Sequence, residues 1–135
     1  MFAIKGEVSN PRATTFAFSA QKTMYGGKRI AKGDTIFVFA SENEGGPGLI
    51  ARGVVTSAKA IAKKRGIARQ TPRMSIIMRR TALAKRRLGR TELKLFSDWN
   101  DGRPETELNF KFYRQATNKI VCISDEAAAF LGGFF

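Results

Sequence analysis

The sequence predicts a small, mainly β fold of the α+β class: a β-barrel of about five to seven strands with short helices at its periphery. Residues 35–40 and 49–56 are runs rich in β-branched and aromatic residues, separated by the glycine- and proline-rich tip 42–48. Two such runs read as a hairpin with a long, mobile tip. In the first run Phe37 and Phe39 fall on one face, Ile36 and Val38 on the other. Apolar residues on both faces suit a central strand of a closed or covered sheet.

The remaining elements follow in order. Residues 2–8 read as a first strand, broken by Ser9-Asn10-Pro11-Arg12. Residues 15–24 read as a short helix capped by Thr14 or Thr15, with Phe16, Ser19, Ala20 and Thr23 on one face. Tyr25-Gly26-Gly27 closes it, since glycine follows helices in the left-handed cap position. Lys32-Gly33-Asp34 turns the chain into the hairpin. Residues 74–78 form an apolar strand, and 81–88 a helical turn carrying Lys85, Arg86 and Arg87. Over 91–96, Leu93 and Leu95 alternate with Glu92 and Lys94, as in a strand; 97–104 is a loop. Leu108, Phe110 and Phe112 share one face of a further strand. A turn at 117–119 leads to strand 120–123. Ser124 then caps a last helix whose first turn carries Asp125 and Glu126, complementing the helix dipole. No repeat or linker divides the chain, so residues 1–135 are expected to form one domain.

Composition narrows the function. At 135 residues and 43% hydrophobic content the chain can bury a real core. Twenty-four Lys and Arg against 11 Asp and Glu leave a net charge of +13. That balance favours a polyanionic partner, RNA or DNA, because neutralising phosphates releases condensed counterions. Twelve of the cations lie between Lys59 and Arg90, a stretch without one Asp or Glu. Lys63, Lys64, Arg65, Arg69, Arg73, Lys85, Arg86, Arg87 and Arg90 are the residues expected to grip a nucleic-acid backbone; a solvated loop face is the plain alternative.

Other classes are excluded or left without support. The chain has no histidine, which removes His-based acid/base chemistry, His-activated nucleophiles and His-ligated metals. A single cysteine, Cys122, permits no intramolecular disulfide and suggests a cytoplasmic setting; in its apolar strand it reads as a small core residue. No run of about 18 apolar residues spans a membrane, and the N-terminus is too short and polar for a signal peptide. Asp98, Asp101, Glu105 and Glu107 lack calcium-loop spacing, and no carboxylate pair has a geometry fixed by its spacing. Gly26-Gly27 and Gly45-Gly46 match no phosphate or dinucleotide fingerprint. No metal, cofactor or catalytic residue is therefore assigned. Trp99, in a polar loop, Tyr25, beside two glycines, and Tyr113 are aromatic rings that suit base stacking, worth about 1–3 kcal/mol per base. Trp99 equally suits a cover for one end of the core.

Several short motifs resemble the EVE type of the PUA-like superfamily, whose other members include ASCH and YTH domains. Lys5-Gly6-Glu7 is similar to the family's Lys-Ser-Glu-Pro, and Lys32-Gly33-Asp34 with Phe39-Ala40-Ser41 to its Lys-x-Gly-Asp and Phe-Tyr-His-Ser. Pro47-Gly48-Leu49-Ile50-Ala51-Arg52-Gly53-Val54-Val55 resembles its Pro-Gly-Ile-x-Gly-x-Ala-x-Val. Tyr113-Arg114-Gln115 and the segment from Ile120 to Glu126 resemble its Arg-Gln turn, last strand and closing helix. The family's Trp-Asp-Gly-Val-Arg-Asn segment has no clear counterpart, Tyr25-Gly26-Gly27-Lys28-Arg29 being nearest, and Ala40 precedes Ser41 where the family often has His. The resemblance implies a PUA-like mixed barrel with a pocket that reads one base, often a modified one. It places Lys5, Glu7, Ser41, Arg114 and Gln115 at or near that pocket; Tyr25 and Trp99 are added on their own chemistry. Phosphates would dock on the Arg/Lys patch while an extruded base enters the pocket. Two alternatives stand beside this reading: an RNA-cleaving enzyme of ASCH-like type, and a nonspecific basic accessory protein of ribonucleoprotein particles.

Overall fold

The computed structural model describes residues 1–67 and 69–135. Six strands close into one mixed barrel: β1 (Phe2–Gly6), β2 (Thr15–Met24), β3 (Thr35–Ala40), β4 (Gly48–Ala60), β5 (Arg73–Leu83) and β6 (Lys119–Cys122). Their order around the barrel is β1-β3-β4-β5-β2-β6. The pairs β1–β3 and β2–β6 are parallel and the others antiparallel. Three short helices, α1 (Arg90–Leu93), α2 (Pro104–Phe112) and α3 (Asp125–Gly132), pack outside.

The two-faced pattern of β3 has a direct physical cause. Ile36 and Val38 point inward with Ile4, Phe16, Phe18, Ile76 and Ile120. Phe37 and Phe39 point outward into a second apolar layer shared with Leu93, Leu108, Phe112 and Leu131 of the helices. Both faces of the strand are thus covered, each large side chain contributing about 1.5–3 kcal/mol by burial. The chain end joins this outer layer: Phe134 is buried there, and the Phe135 ring lies 5.9 Å from that of Phe37.

The hairpin, the strand over 74–78 and the Ser124-capped last helix form as the sequence predicts. Ser124 Oγ accepts the Ala127 N–H at 3.1 Å, the expected cap. Four other segments differ. Residues 15–24 form strand β2 and not a helix: Phe16 and Phe18, two apart, are both inside the barrel, while Thr15, Ala17 and Ser19 are exposed. Residues 81–88 form no helical turn, because β5 runs on to Leu83, paired with Ala51 of β4. The expected strand over 91–96 is replaced by α1, started by the Gly89 N–H donating to Glu92 Oε1 at 2.7 Å. Leu93 is buried there but Leu95 is 83% exposed, so their alternation marks no sheet face. Leu108, Phe110 and Phe112 lie on α2. Pro104 opens it without losing a hydrogen bond, and Leu108, Asn109 and Phe112 face the core at helical spacing.

The hairpin tip, expected to be mobile, is tied down. Glu42 Oε1 accepts the Tyr113 hydroxyl at 2.9 Å and the Arg90 N–H at 3.0 Å. Among the described residues no helix is long and apolar enough to cross a membrane.

Candidate nucleic-acid interface

β1 and β6 stop where β2 does not. Lys5 pairs with Lys119 at the end of their ladder, and Thr23 of β2 faces Ile120, so the first half of β2 projects past β6. The mouth left between them is a cavity of about 400 Å³ lined by Glu7, Ser9, Ala17, Phe18, Ser19, Gln21 and Asn118. A β-bulge shapes it: Phe18 pairs with Ile76 and Gln21 with Met74, leaving one extra residue on β2. Ala20 takes a left-handed φ of 48°, its N–H donating to Ser75 Oγ at 2.9 Å and its carbonyl accepting from Arg73 Nη1 at 2.6 Å. Bulges at barrel rims re-aim side chains, and this one turns Ser19 and Gln21 toward the mouth. Gly6 allows the Phe18 ring to approach β1; a Cβ there would sit 3.1 Å from Phe18 Cε1.

On the outer face of β1 and β6, opposite Ile4 and Ile120 of the barrel interior, two lysines are buried against backbone carbonyls. Lys5, 1% exposed, donates through Nζ to the carbonyls of Phe112 at 2.7 Å and Ala116 at 3.2 Å. Lys119, also 1% exposed, donates to the carbonyls of Thr117 at 3.1 Å and Gln115 at 3.4 Å. Asn43 Nδ2 reaches the Ala116 carbonyl at 3.4 Å. The turn 113–118, which carries Asn118, is therefore clamped from β1, β6 and the hairpin tip. Burial brings the Lys5 pKa down to about 8, helped by Lys119 and Arg90 and opposed by Glu42 and Glu44. Burial also lowers the pKa of Lys119, with Lys22 adding to it. For Tyr113, burial and the facing Glu42 carboxylate push the phenol well above its ordinary value. Two polar atoms of this end, Ser41 Oγ and Asn118 Oδ1, are buried without a hydrogen-bond partner among the described residues. Each costs about 1–3 kcal/mol while it stays unpaired.

The residues expected at the pocket divide into three sets. Glu7 lines the cavity, whereas Lys5 and Ser41 lie buried away from it, Lys5 on the outer face of the barrel against the Phe112 carbonyl and Ser41 beside the end of β1, its N–H donating to the Gly6 carbonyl at 2.8 Å. Tyr25, Trp99 and Arg114 gather around the Phe110 ring on the outer surface of α2. Gln115 is exposed, and its carbonyl holds Lys119. Sequence reasoning passed over Gln21, Asn118, Phe18 and Ser19. The one available signal was Ser19-Ala20-Gln21, where the apolar alternation set by Phe16 and Phe18 breaks.

The cationic stretch is split in two. Lys63, Lys64 and Arg73 line a groove of about 510 Å³ with Lys22 and Lys28; Arg65 and Arg69 are exposed on the same connection. Lys85, Arg86 and Arg87 line a hollow of about 360 Å³ with Arg12, beyond the other end of β5. The eleven residues of β5 separate the two groups by up to about 33 Å. In the second group Arg87 lies 3.6 Å from Glu92 and 3.9 Å from Glu42. Arg86 donates to the Gly133 carbonyl at 2.9 Å, and Arg90 to Asn43 Oδ1 at 2.8 Å. Among the described residues no group of three His, Cys, Asp or Glu is placed to hold a metal ion.

This closed six-stranded mixed barrel with three outer helices has the PUA-like fold of EVE type, the fold of DUF55 domains. Three solved structures share it. The DUF55 domain of human thymocyte nuclear protein 1 is 13% identical, with a TM-score of 0.61 over 96% of this chain and 95% of that one. Human THYN1 protein in complex with 5-methylcytosine containing DNA is 15% identical, with a TM-score of 0.65 over 97% and 95%. A protein from Pseudomonas syringae is 15% identical, with a TM-score of 0.57 over 99% of each chain. At such identities the likeness is one of fold. No protein-family model and no curated protein matches the chain.

Proposed function

We propose that this chain binds nucleic acid and takes one extruded base, modified or unmodified, into the cavity between β1, β2 and β6. The observation that carries the reading is the cavity's lining: an aromatic ring (Phe18), two amides (Gln21 and Asn118) and a carboxylate (Glu7) around about 400 Å³. Those groups match the needs of a base removed from its stack, an apolar face to lie on and donors and acceptors for its Watson–Crick edge. Asn118 brings an amide to that lining, its Nδ2 held 3.4 Å from Glu44 Oε2. The net charge of +13 supplies the sequence-independent grip on phosphates through Lys63, Lys64, Arg65, Arg69 and Arg73, and through Lys85, Arg86, Arg87 and Arg90. A solved neighbour of this fold is in complex with DNA containing 5-methylcytosine, which supports testing that base first.

The test is fluorescence anisotropy with duplexes that differ at one position: cytosine, 5-methylcytosine or an abasic site. The filled positions should bind about tenfold more tightly than the abasic one, the worth of one stacked, hydrogen-bonded base. Asn118→Leu should erase that preference while leaving abasic affinity intact. Equal affinity for all three duplexes, unaltered by Asn118→Leu, refutes the proposal.

A further inference from the structure

We propose that Trp99, Phe110 and Tyr25 form a second nucleic-acid contact, a stacking platform for an unpaired nucleotide, separate from the barrel-mouth cavity. The three rings make one cluster with Phe110 at its centre. Trp99 meets Phe110 at 5.4 Å between centroids and 72°, and Tyr25 meets it at 5.8 Å and 59°. Despite this packing Trp99 remains 43% exposed and Tyr25 40% exposed. A hollow of about 260 Å³ opens along Trp99 and α2, with Arg103, Thr106 and Lys111 among its lining residues.

The surrounding charge selects the ligand. The Arg114 guanidinium lies 4.7 Å from the Phe110 centroid and Lys111 Nζ 5.7 Å from that of Tyr25. Among the described residues three of the nearby carboxylates are hydrogen-bonded, and Glu105 at the start of α2 is not. Glu107 accepts from Ser124 and Lys111, Asp101 from the Arg103 N–H and the Thr106 hydroxyl, and Asp98 from the Asn100 N–H. Arg114 forms no ion pair among the described residues, while the Arg103 N–H, and with it the Arg103 charge, helps hold the Asp101 carboxyl below its ordinary range. Exposed rings with cations at their rim suit a flat ring that carries a phosphate, which describes a nucleotide. From Arg114, at one edge of the platform, to Asn118, at the cavity, is at most about 14 Å of chain, so one strand can run from the cavity toward the platform.

This inference rests on the nucleic-acid reading above, yet it has its own readout. Trp99 is the chain's single tryptophan, so intrinsic emission reports this site alone. The full chain is titrated with a short oligothymidine, with the same sugar–phosphate backbone lacking bases, and with polyglutamate. Oligothymidine should quench the emission, and the other two polyanions should not. By anisotropy Trp99→Ala should weaken oligothymidine binding about tenfold, with Trp99→Phe restoring most of it, as one stacked base predicts. Melting curves for both variants show whether the fold is kept. Unchanged emission at oligothymidine concentrations that saturate anisotropy overturns the platform, as does equal quenching by the abasic strand. Equal quenching by polyglutamate overturns it in favour of an acidic peptide. Failure of the cavity reading shows elsewhere, in equal affinity for the cytosine, 5-methylcytosine and abasic duplexes, and leaves the emission result standing.

Discussion

Lys5 is a cation held in an apolar layer, and that makes the stability of this protein depend on alkaline pH in a calculable way. The informative perturbation is Lys5→Met, which keeps the length of the side chain and removes the charge and its two hydrogen bonds. In the folded chain the ammonium titrates at about 8, against 10.5 when unfolded. Below pH 8 both states carry the proton, so Lys5 adds no slope. Between the two values the unfolded chain keeps a proton that the folded chain has released, so stability must rise with pH. Each pH unit inside that window adds at most about 1.4 kcal/mol, and the whole window at most about 3.5 kcal/mol. Neutral Lys5 still donates to the Phe112 and Ala116 carbonyls, so nothing offsets the gain. The assay is thermal unfolding of both proteins from pH 7 to 10, read as the difference between them so that all other titrations cancel. The wild type should gain on Lys5→Met by roughly 3–5 °C in Tm for each kcal/mol acquired above pH 8. A difference that stays flat, or that shrinks with rising pH, refutes the claim that this ammonium is buried at a cost.

Three further expectations follow from the same structure. Glu42→Gln weakens the acceptor for Tyr113 and Arg90 and removes a charge that favours the Lys5 ammonium. It should cost about 1–2 kcal/mol in urea unfolding and move the onset of the alkaline rise to lower pH. Gly53→Ala drives a Cβ into the Arg79 carbonyl of the paired strand, with the Arg79 carbonyl carbon itself only 2.9 Å away. Neither backbone can yield without opening the β4–β5 ladder, so a loss of at least about 3 kcal/mol is expected by denaturant titration. In nucleic-acid binding, changing Lys63 and Lys64 to Gln should lower the slope of log K against log salt by about 0.9 for each cation. Arg87→Gln should lower it less, because Glu92 and Glu42 already neutralise part of that charge.

How far the sequence could be read depended on whether local pattern or distant contact decides an element. The β3–β4 hairpin was legible because its β-branched runs are long and its tip is marked by glycine and proline. Residues 15–24 misled: Phe16 and Phe18 alternate as a strand requires, but Thr14 and Thr15 before them and Gly26-Gly27 after them imitate helix ends. At 104–112 the deciding features are tertiary. Asn109 Nδ2 bonds the Phe96 carbonyl at 3.0 Å, and the Thr106 hydroxyl bonds Asp101 Oδ2 at 3.0 Å. No periodicity encodes either contact. The candidate site was legible only at its edge, in Glu7. Gln21 faces the cavity because of a bulge at an alanine with positive φ, and alanine carries no mark of that conformation. Asn118 stood in plain view as a turn residue, but its place at the mouth depends on two buried lysines distant in sequence or hidden by their charge. Lysine is seldom fully buried, so composition argues against such a role.

The placement of β5 between the two cationic groups acts as a ruler. A polyanion touching both at once must extend along that strand, and at 3.4 Å per step this amounts to about ten base pairs of B-form duplex. Fragments below that length meet one group at a time. Plotted against fragment length, affinity should therefore show a step near one helical turn in place of a smooth climb.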